Sequence, residues 1–382
     1  MKPKGLMIIF LGFLLFARVA QADWSAAKRI TWTSGGSWSP AIAVSSAGHL
    51  HVVWYDSTPG NSQIYYRKST NGGGTWTATQ RLTWTSGTCL YPAIGIDSSD
   101  NLHLLWSDST PGNDEIYYKK STDGGATWMT GKRLTWTSGY SGYPSIAVDS
   151  SNNIHIVWFD DTAGNYEIYY KKSTDGGITW PISQRLTWTS GDSISRDIVV
   201  DTFGNLYAFW EDDQPGNKEL YYAKSSDGGD SWTKGQRITW TSDGSYGAAV
   251  AAAPFGHLHL VWQDNTPGNS EIYYKKSTDG GASWTTGQRL TWSLGASYEQ
   301  AIGLDSSGTL HVVWHESGPE HYEIYYKKKT AGGVSWTISE RLSWTPMDSY
   351  SPSLAIDSSN NLHVVWHDYT PGSPEIYYIK GK

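Results

Sequence analysis

Cysteine is nearly absent. Cys89 stands alone among 382 residues, which excludes an internal disulfide and leaves burial as the source of stability. Positive charge is also in deficit: 29 Lys and Arg face 36 Asp and Glu, for a net charge of −7, and this disfavours nucleic acid and anionic membranes as partners. Beyond the first 22 residues no apolar run is long enough to cross a bilayer, so no membrane insertion is expected. No spacing of His, Cys, Asp or Glu matches a metal-ligand motif, and no cofactor is expected.

The first segment reads as a removable leader. Lys2 and Lys4 give a positive start, an apolar stretch runs over residues 6–16, and Ala20-Gln21-Ala22 fits a small-x-small cleavage site. The organisation expected is therefore a signal peptide over residues 1–22 and a mature domain over 23–382, secreted or periplasmic. The leader carries three basic residues and no acid, so its removal takes the net charge to −10.

What the chain has in abundance is repetition. The tetrad Arg-Leu/Ile-Thr/Ser-Trp begins at Arg29, Arg81, Arg133, Arg185, Arg237, Arg289 and Arg341, always 52 residues apart. A period of this size, filled with short strands and Gly-rich turns, predicts propeller blades rather than a helical solenoid. One repeat shows four strands, over residues 143–149, 154–159, 167–172 and 185–188. The last repeat stops after its third strand, and Trp24 precedes Arg29 by the gap that separates Trp76 from Arg81. The N-terminal segment is thus expected to supply the fourth strand of the seventh blade and close the ring, protecting the edges of an otherwise open array. The fold class predicted is all-β: a seven-bladed propeller with four antiparallel strands per blade.

Between the third and fourth strands lies an octet, STDGGATW at Ser121, with copies at Ser69, Ser173, Ser225 and Ser277 and a worn KTAGGVSW at Lys329. Asp-Gly-Gly is the chemistry of a tight turn with left-handed positions. The octet resembles the Asp box, Ser-x-Asp-x-Gly-x-x-Trp, of the sialidase-like β-propellers, also called the BNR repeat. The resemblance covers essentially the whole mature chain. It implies a turn tied to its own backbone by the Asp side chain and anchored by the Trp. The box belongs to the scaffold and carries no activity.

Of the 22 tryptophans, 21 recur at three repeat positions: the second strand, the end of the octet and the fourth strand. Recurrence of this kind predicts packing rather than a sugar platform. The histidines at 51, 103, 155, 259, 311 and 363, with Tyr207 in the remaining repeat, read as packing for the same reason.

Strand direction puts the loops after the second and fourth strands on one face. Repeated acids lie there, including Asp56, Asp108, Asp160, Asp264 and a partner series from Glu115 to Glu375, and these read first as turn caps. The breaks in repetition carry more information. In the fourth repeat Arg196 replaces the usual Pro, close to Glu211 and Asp212; in the sixth and seventh, Glu299, His315, Glu316, His367 and Asp368 converge. These eight residues are the candidate ligand-binding set.

The resemblance also implies what a sialidase would need: three arginines gripping a sugar carboxylate, a Tyr nucleophile with a Glu beside it, and an Asp acid/base. Outside the leader only Arg67 and Arg196 fall beyond the tetrads, and the Arg-Ile-Pro signature is missing. No catalytic residue is therefore assigned. The function expected is a monomeric, non-catalytic module that binds glycans or other cell-surface or extracellular ligands through one face. An exo-sialidase-type hydrolase and a protein-interaction scaffold are the alternatives.

Overall fold

A computed structural model describes residues 23–370 and 372–382, except for the side chains of Ser195 and Arg196. The leader proposed for residues 1–22 lies outside the described residues. The described residues form 28 strands, β1 to β28, in seven four-stranded antiparallel sheets. The first sheet contains β2 (Ser37–Val44), β3 (Leu50–Asp56), β4 (Gln63–Ser69) and β5 (Gln80–Arg81), in that order. Its inner strand β2 packs on β6 (Cys89–Ile96) on one side and on β26 (Ser349–Ile356) on the other, which closes a seven-bladed ring.

Closure joins the chain ends as the repeat count predicts. The seventh sheet runs β26, β27 (Leu362–Asp368), β28 (Glu375–Gly381), β1 (Lys28–Arg29), with Arg29 opposite Tyr377. Arg29 Nη2 donates to Glu375 at 2.7 Å, and Ser25 N donates to the Lys380 carbonyl at 2.8 Å. Trp24 meets Tyr326 of the sixth blade edge-on at 5.0 Å.

The apolar core lies between blades. Val53, Ile64, Tyr66 and Leu82 of the first blade pack with Leu102, Leu104 and Trp106 of the second, and equivalent sets recur around the ring. All seven second-strand tryptophans are almost wholly buried. The octet provides a further inter-blade contact. Asp123 Oδ1 accepts the Thr127 amide at 2.9 Å and the Ser121 hydroxyl at 2.8 Å, and Trp128 then meets Tyr66 of the preceding blade edge-on at 5.4 Å. Gly125 sits at φ 88°, where an added Cβ would stand 1.9 Å from the Tyr66 hydroxyl, so only glycine fits.

The recurrent histidines are scaffold groups. His103 Nδ1 pairs with the Tyr118 hydroxyl at 2.8 Å and its Nε2 with Asp97 at 3.2 Å; in the fourth blade Tyr207 reaches Asp201 directly at 3.1 Å. Burial lowers the pKa of His103 and keeps the ring neutral.

Two expectations need correction. The fourth strand has two residues instead of four, because Leu82 N still bonds the Ile64 carbonyl at 2.7 Å but the Thr83 hydroxyl then takes the Ile64 amide at 2.9 Å, ending the ladder with a side chain. The tryptophans that follow, Trp32, Trp84, Trp136, Trp188, Trp240, Trp292 and Trp344, are consequently not packed: they stand 65–75 % exposed beyond the end of the sheet.

Candidate functional site

Each inner strand carries the same irregularity near its start. In β10 (Ser141–Val148), Gly142 lies opposite Phe159 and Ser145 opposite Val157, so Tyr143 and Pro144 together face one residue, Trp158. This β-bulge aims its first residue at the axis, in left-handed backbone: φ is 46° at Ser39, 53° at Tyr91, 50° at Tyr143, 64° at Gly247, 49° at Glu299 and 52° at Ser351. Proline follows at Pro40, Pro92, Pro144 and Pro352, where the unpaired bulge position needs no amide donor. Opposite the bulge, Gln263, His315 and His367, each the residue after a second-strand Trp, also turn inward.

These positions line an axial funnel of about 950 Å³. Its two sides differ. On one, Tyr91 and Tyr143 stack with ring centres 3.7 Å apart, and Tyr143 continues to Phe159 at 5.5 Å. On the other, Tyr350 touches His315 at 5.1 Å, Tyr322 at 5.0 Å and His367 at 5.7 Å. The Ser351 hydroxyl donates to Glu299 Oε2 at 2.6 Å, and that oxygen lies 3.7 Å from His315 Nδ1. Gln263, Gln300 and Asp197 complete the polar lining.

Burial sets the electrostatics. It lowers His315 to about 3 and His367 to about 4, so both rings are neutral at physiological pH. The Nδ1 atoms of both are buried without a hydrogen-bond partner. Asp197 is pushed up to about 7 by burial, opposed by bonds from the Val250 amide at 3.0 Å and the Ser145 hydroxyl at 3.4 Å.

Of the candidate residues, Glu299, His315 and His367 meet in the funnel. Glu211 stands behind its wall, accepting Lys218 Nζ at 3.1 Å and the Gly247 amide at 3.0 Å. Asp212 and Asp368 are buried and tied locally: Asp212 accepts Ser193 Oγ at 2.7 Å and the Gln214 amide at 2.8 Å, and Asp368 accepts Ser349 Oγ at 2.7 Å and the Thr370 amide at 2.8 Å. Glu316 takes the Trp314 indole at 2.9 Å and the Ser297 hydroxyl at 3.2 Å. The side chain of Arg196 lies outside the described residues. The partner acids pair with tetrad arginines, as Glu115 does with Arg133 at 2.7 Å.

The aromatic lining, Tyr91, Tyr143, Tyr298, Tyr322 and Tyr350, was not anticipated. Tyr322 apart, its signal is present in the sequence: aligning the repeats leaves the second and third residues of the inner strand, and the residue after the second-strand Trp, as columns that do not repeat. Among the described residues no group of three His, Cys, Asp or Glu is placed to hold a metal, and no helix is long and apolar enough to cross a membrane.

Residues 37–203 match the family described as a BNR repeat-containing family member. The chain is 26% identical over 219 residues to xyloglucanase Xgh74A of Acetivibrio thermocellus, covering 46% of this chain and 24% of that protein, so it spans about a quarter of that relative. Similar solved structures include an ulvan lyase, a polysaccharide lyase (TM-score 0.67, 11% identity, 92% of this chain and 95% of that one). The Hadza microbial sialidase Hz136 is another (TM-score 0.57, 15% identity, 88% and 74%). The architecture is a seven-bladed β-propeller, and the BNR-repeat family model matches somewhat under half of the chain.

Proposed function

We propose that this protein is an exported carbohydrate-binding propeller that holds a glycan in its axial funnel. The observation that carries the reading is where asymmetry lies: in a chain of near-identical repeats, the non-repeating side chains converge on one cavity of about 950 Å³ with stacked tyrosines on one wall and His315, Glu299 and Tyr350 on the other. Flat aromatic faces with a few placed polar groups suit the two sides of a sugar ring. The similar proteins named as sialidase, xyloglucanase and ulvan lyase all act on glycans, which favours the same ligand class. Asp212, Glu316 and Asp368 serve this site by fixing the loops around it.

Binding is preferred to sialidase-type hydrolysis because a carboxylate grip needs several convergent arginines. The tetrad arginines sit on the outer strands, and six of the seven are paired with a carboxylate there. Chemistry on the bound sugar is a second reading with one specific observation behind it: two histidines flank the Tyr350 phenol, each with a buried Nδ1 that has no hydrogen-bond partner.

A glycan array of neutral, uronic-acid-bearing and sialylated oligosaccharides, followed by calorimetric titration, tests the proposal. Tyr350→Ala and Tyr143→Ala are each expected to weaken the best ligand at least tenfold while the melting profile is kept. Unchanged affinity in both variants overturns the funnel assignment. Product release that is lost in His315→Gln with binding intact would promote the catalytic reading.

A further inference from the structure

The exposed fourth-strand tryptophans form a second, repeated feature remote in character from the funnel. Seven indoles at 65–75 % exposure are costly to hold in water, yet none is left loose. Each is flanked by the arginine of its own tetrad, with the guanidinium 5.7 Å from the ring centre at Trp84 and Trp136 and 4.2 Å at Trp344. That arginine is itself fixed: Arg133 Nε donates to the Thr135 carbonyl at 2.6 Å and Nη2 to Glu115 at 2.7 Å.

Among the described residues, five of the seven rings meet a second cation from the following blade. Lys119 lies 5.7 Å from Trp84, Lys171 5.9 Å from Trp136, and Arg67 5.8 Å from Trp32. These residues also tie the blades together, as Lys171 Nζ does by donating to the Leu134 carbonyl at 2.6 Å. The register-equivalent residues toward Trp188 and Trp344 are Ala223 and Ile379. The platforms are therefore graded in charge. With its buried glutamate counted, a two-cation platform carries a net positive unit; Trp84 carries two, since Gln63 stands where the others have Glu; Trp188 and Trp344 carry none.

We propose that the rim is a multivalent binding surface for an acidic polysaccharide, each indole stacking on one pyranose ring while the flanking cations receive its carboxylate or sulfate. An indole offers its face to the C–H groups of a sugar, and the adjacent cations select for charge in a chain that is otherwise net −7. Individually weak sites around a rigid ring gain avidity on a polymer that reaches several at once. The inference does not rest on the funnel reading.

Affinity electrophoresis of the mature chain through gels containing polygalacturonate, dextran sulfate or neutral dextran provides the test. Retardation by polygalacturonate or by dextran sulfate, lost at high salt and absent with dextran, is expected, and the responding polymer identifies the acidic group recognised. Trp84→Ala should reduce retardation more than Trp188→Ala. The triple variant Trp84→Ala/Trp136→Ala/Trp240→Ala should weaken apparent affinity at least tenfold, with a circular-dichroism melt confirming the fold, whereas Tyr350→Ala should migrate like the parent. Equal retardation by neutral dextran, no retardation by either acidic polymer, or a folded triple variant that binds like the parent overturns the proposal.

Discussion

The blade scaffold and the axial funnel are built from the same residue types under opposite rules. In the scaffold a carboxylate such as Glu219 is wholly buried, held by Arg237 at 2.8 Å and the Thr241 amide at 2.7 Å, and the arrangement recurs from blade to blade. In the funnel, Glu299 has a side chain 57% exposed and occurs once. His103 has partners on both ring nitrogens, whereas His315 and His367 have unpartnered Nδ1 atoms. Each recurrent histidine bonds a tyrosine hydroxyl through Nδ1, whereas the two funnel histidines leave that atom unpartnered. The difference separates what holds the ring from what is free to meet a ligand.

The largest test of the contrast is at ring closure. Deleting residues 23–32 removes β1 and strands the buried Glu375 without Arg29 or Thr31. Leaving such a charge unpaired costs about 3–5 kcal/mol on its own, and the exposed edge of β28 invites aggregation. Loss of a single cooperative transition in calorimetry is expected; an unaltered melt would break the closure argument.

One substitution made in both regions sharpens the comparison. Glu219→Ala should cost about 2–4 kcal/mol in urea unfolding, because Arg237 and the Thr241 amide lose their partner. Glu299→Ala should stay within about 0.5 kcal/mol and act on ligand affinity instead. Equal stability losses would erase the distinction.

Acid titration gives a smaller, signed effect. The folded pKa values of His315 and His259, about 3 and about 4, lie below the ordinary 6.5, so the unfolded chain takes up protons first. Stability from these groups is full above pH 6.5 and declines as pH falls toward 4, at about 1.4 kcal/mol per pH unit for each. Replacing either by Phe should flatten that limb. Only His259→Phe should also lose stability at pH 7, since its Nδ1 bond to Tyr274 at 2.7 Å is lost, while His315 gives up none there. Asp197 runs the other way: its raised pKa favours the fold at low pH and loses that contribution as pH rises toward 7, so Asp197→Asn should steepen the gain between pH 4 and 7. Urea midpoints at pH 5 and pH 7 decide each case.

The blades were legible because period is a property of spacing, and seven tetrads 52 residues apart leave little freedom in blade number or closure. The octet likewise announced its turn. What repetition cannot convey is direction. The fourth-strand tryptophans recur as regularly as the buried Trp54 and Trp106, yet they fall after the threonine hydroxyl has ended the ladder, and equivalence between blades says nothing about which side of that end a ring occupies. The funnel was half legible. Glu299, His315 and His367 drew notice as charged exceptions, but Tyr91, Tyr143 and Tyr350 resembled the many scaffold aromatics around them. Asp212 and Asp368 lay on the right face in sequence terms and are turned into their own loops by serine hydroxyls.

The smallest expected effect leads to the widest consequence. At the bulge, Ser39 holds a φ of 46°, a conformation that costs a non-glycine residue about 1–2 kcal/mol. Ser39→Gly should therefore raise stability by up to about 1 kcal/mol in urea unfolding. The same backbone kink accepts serine, tyrosine, glycine and glutamate around the ring. Such sockets, six of them among the described residues and all insulated from the inter-blade core, let specificity drift by single substitutions under selection while foldability is inherited unchanged. The propeller is in this sense a chassis with interchangeable inward positions, suited to evolving or engineering new recognition one blade at a time.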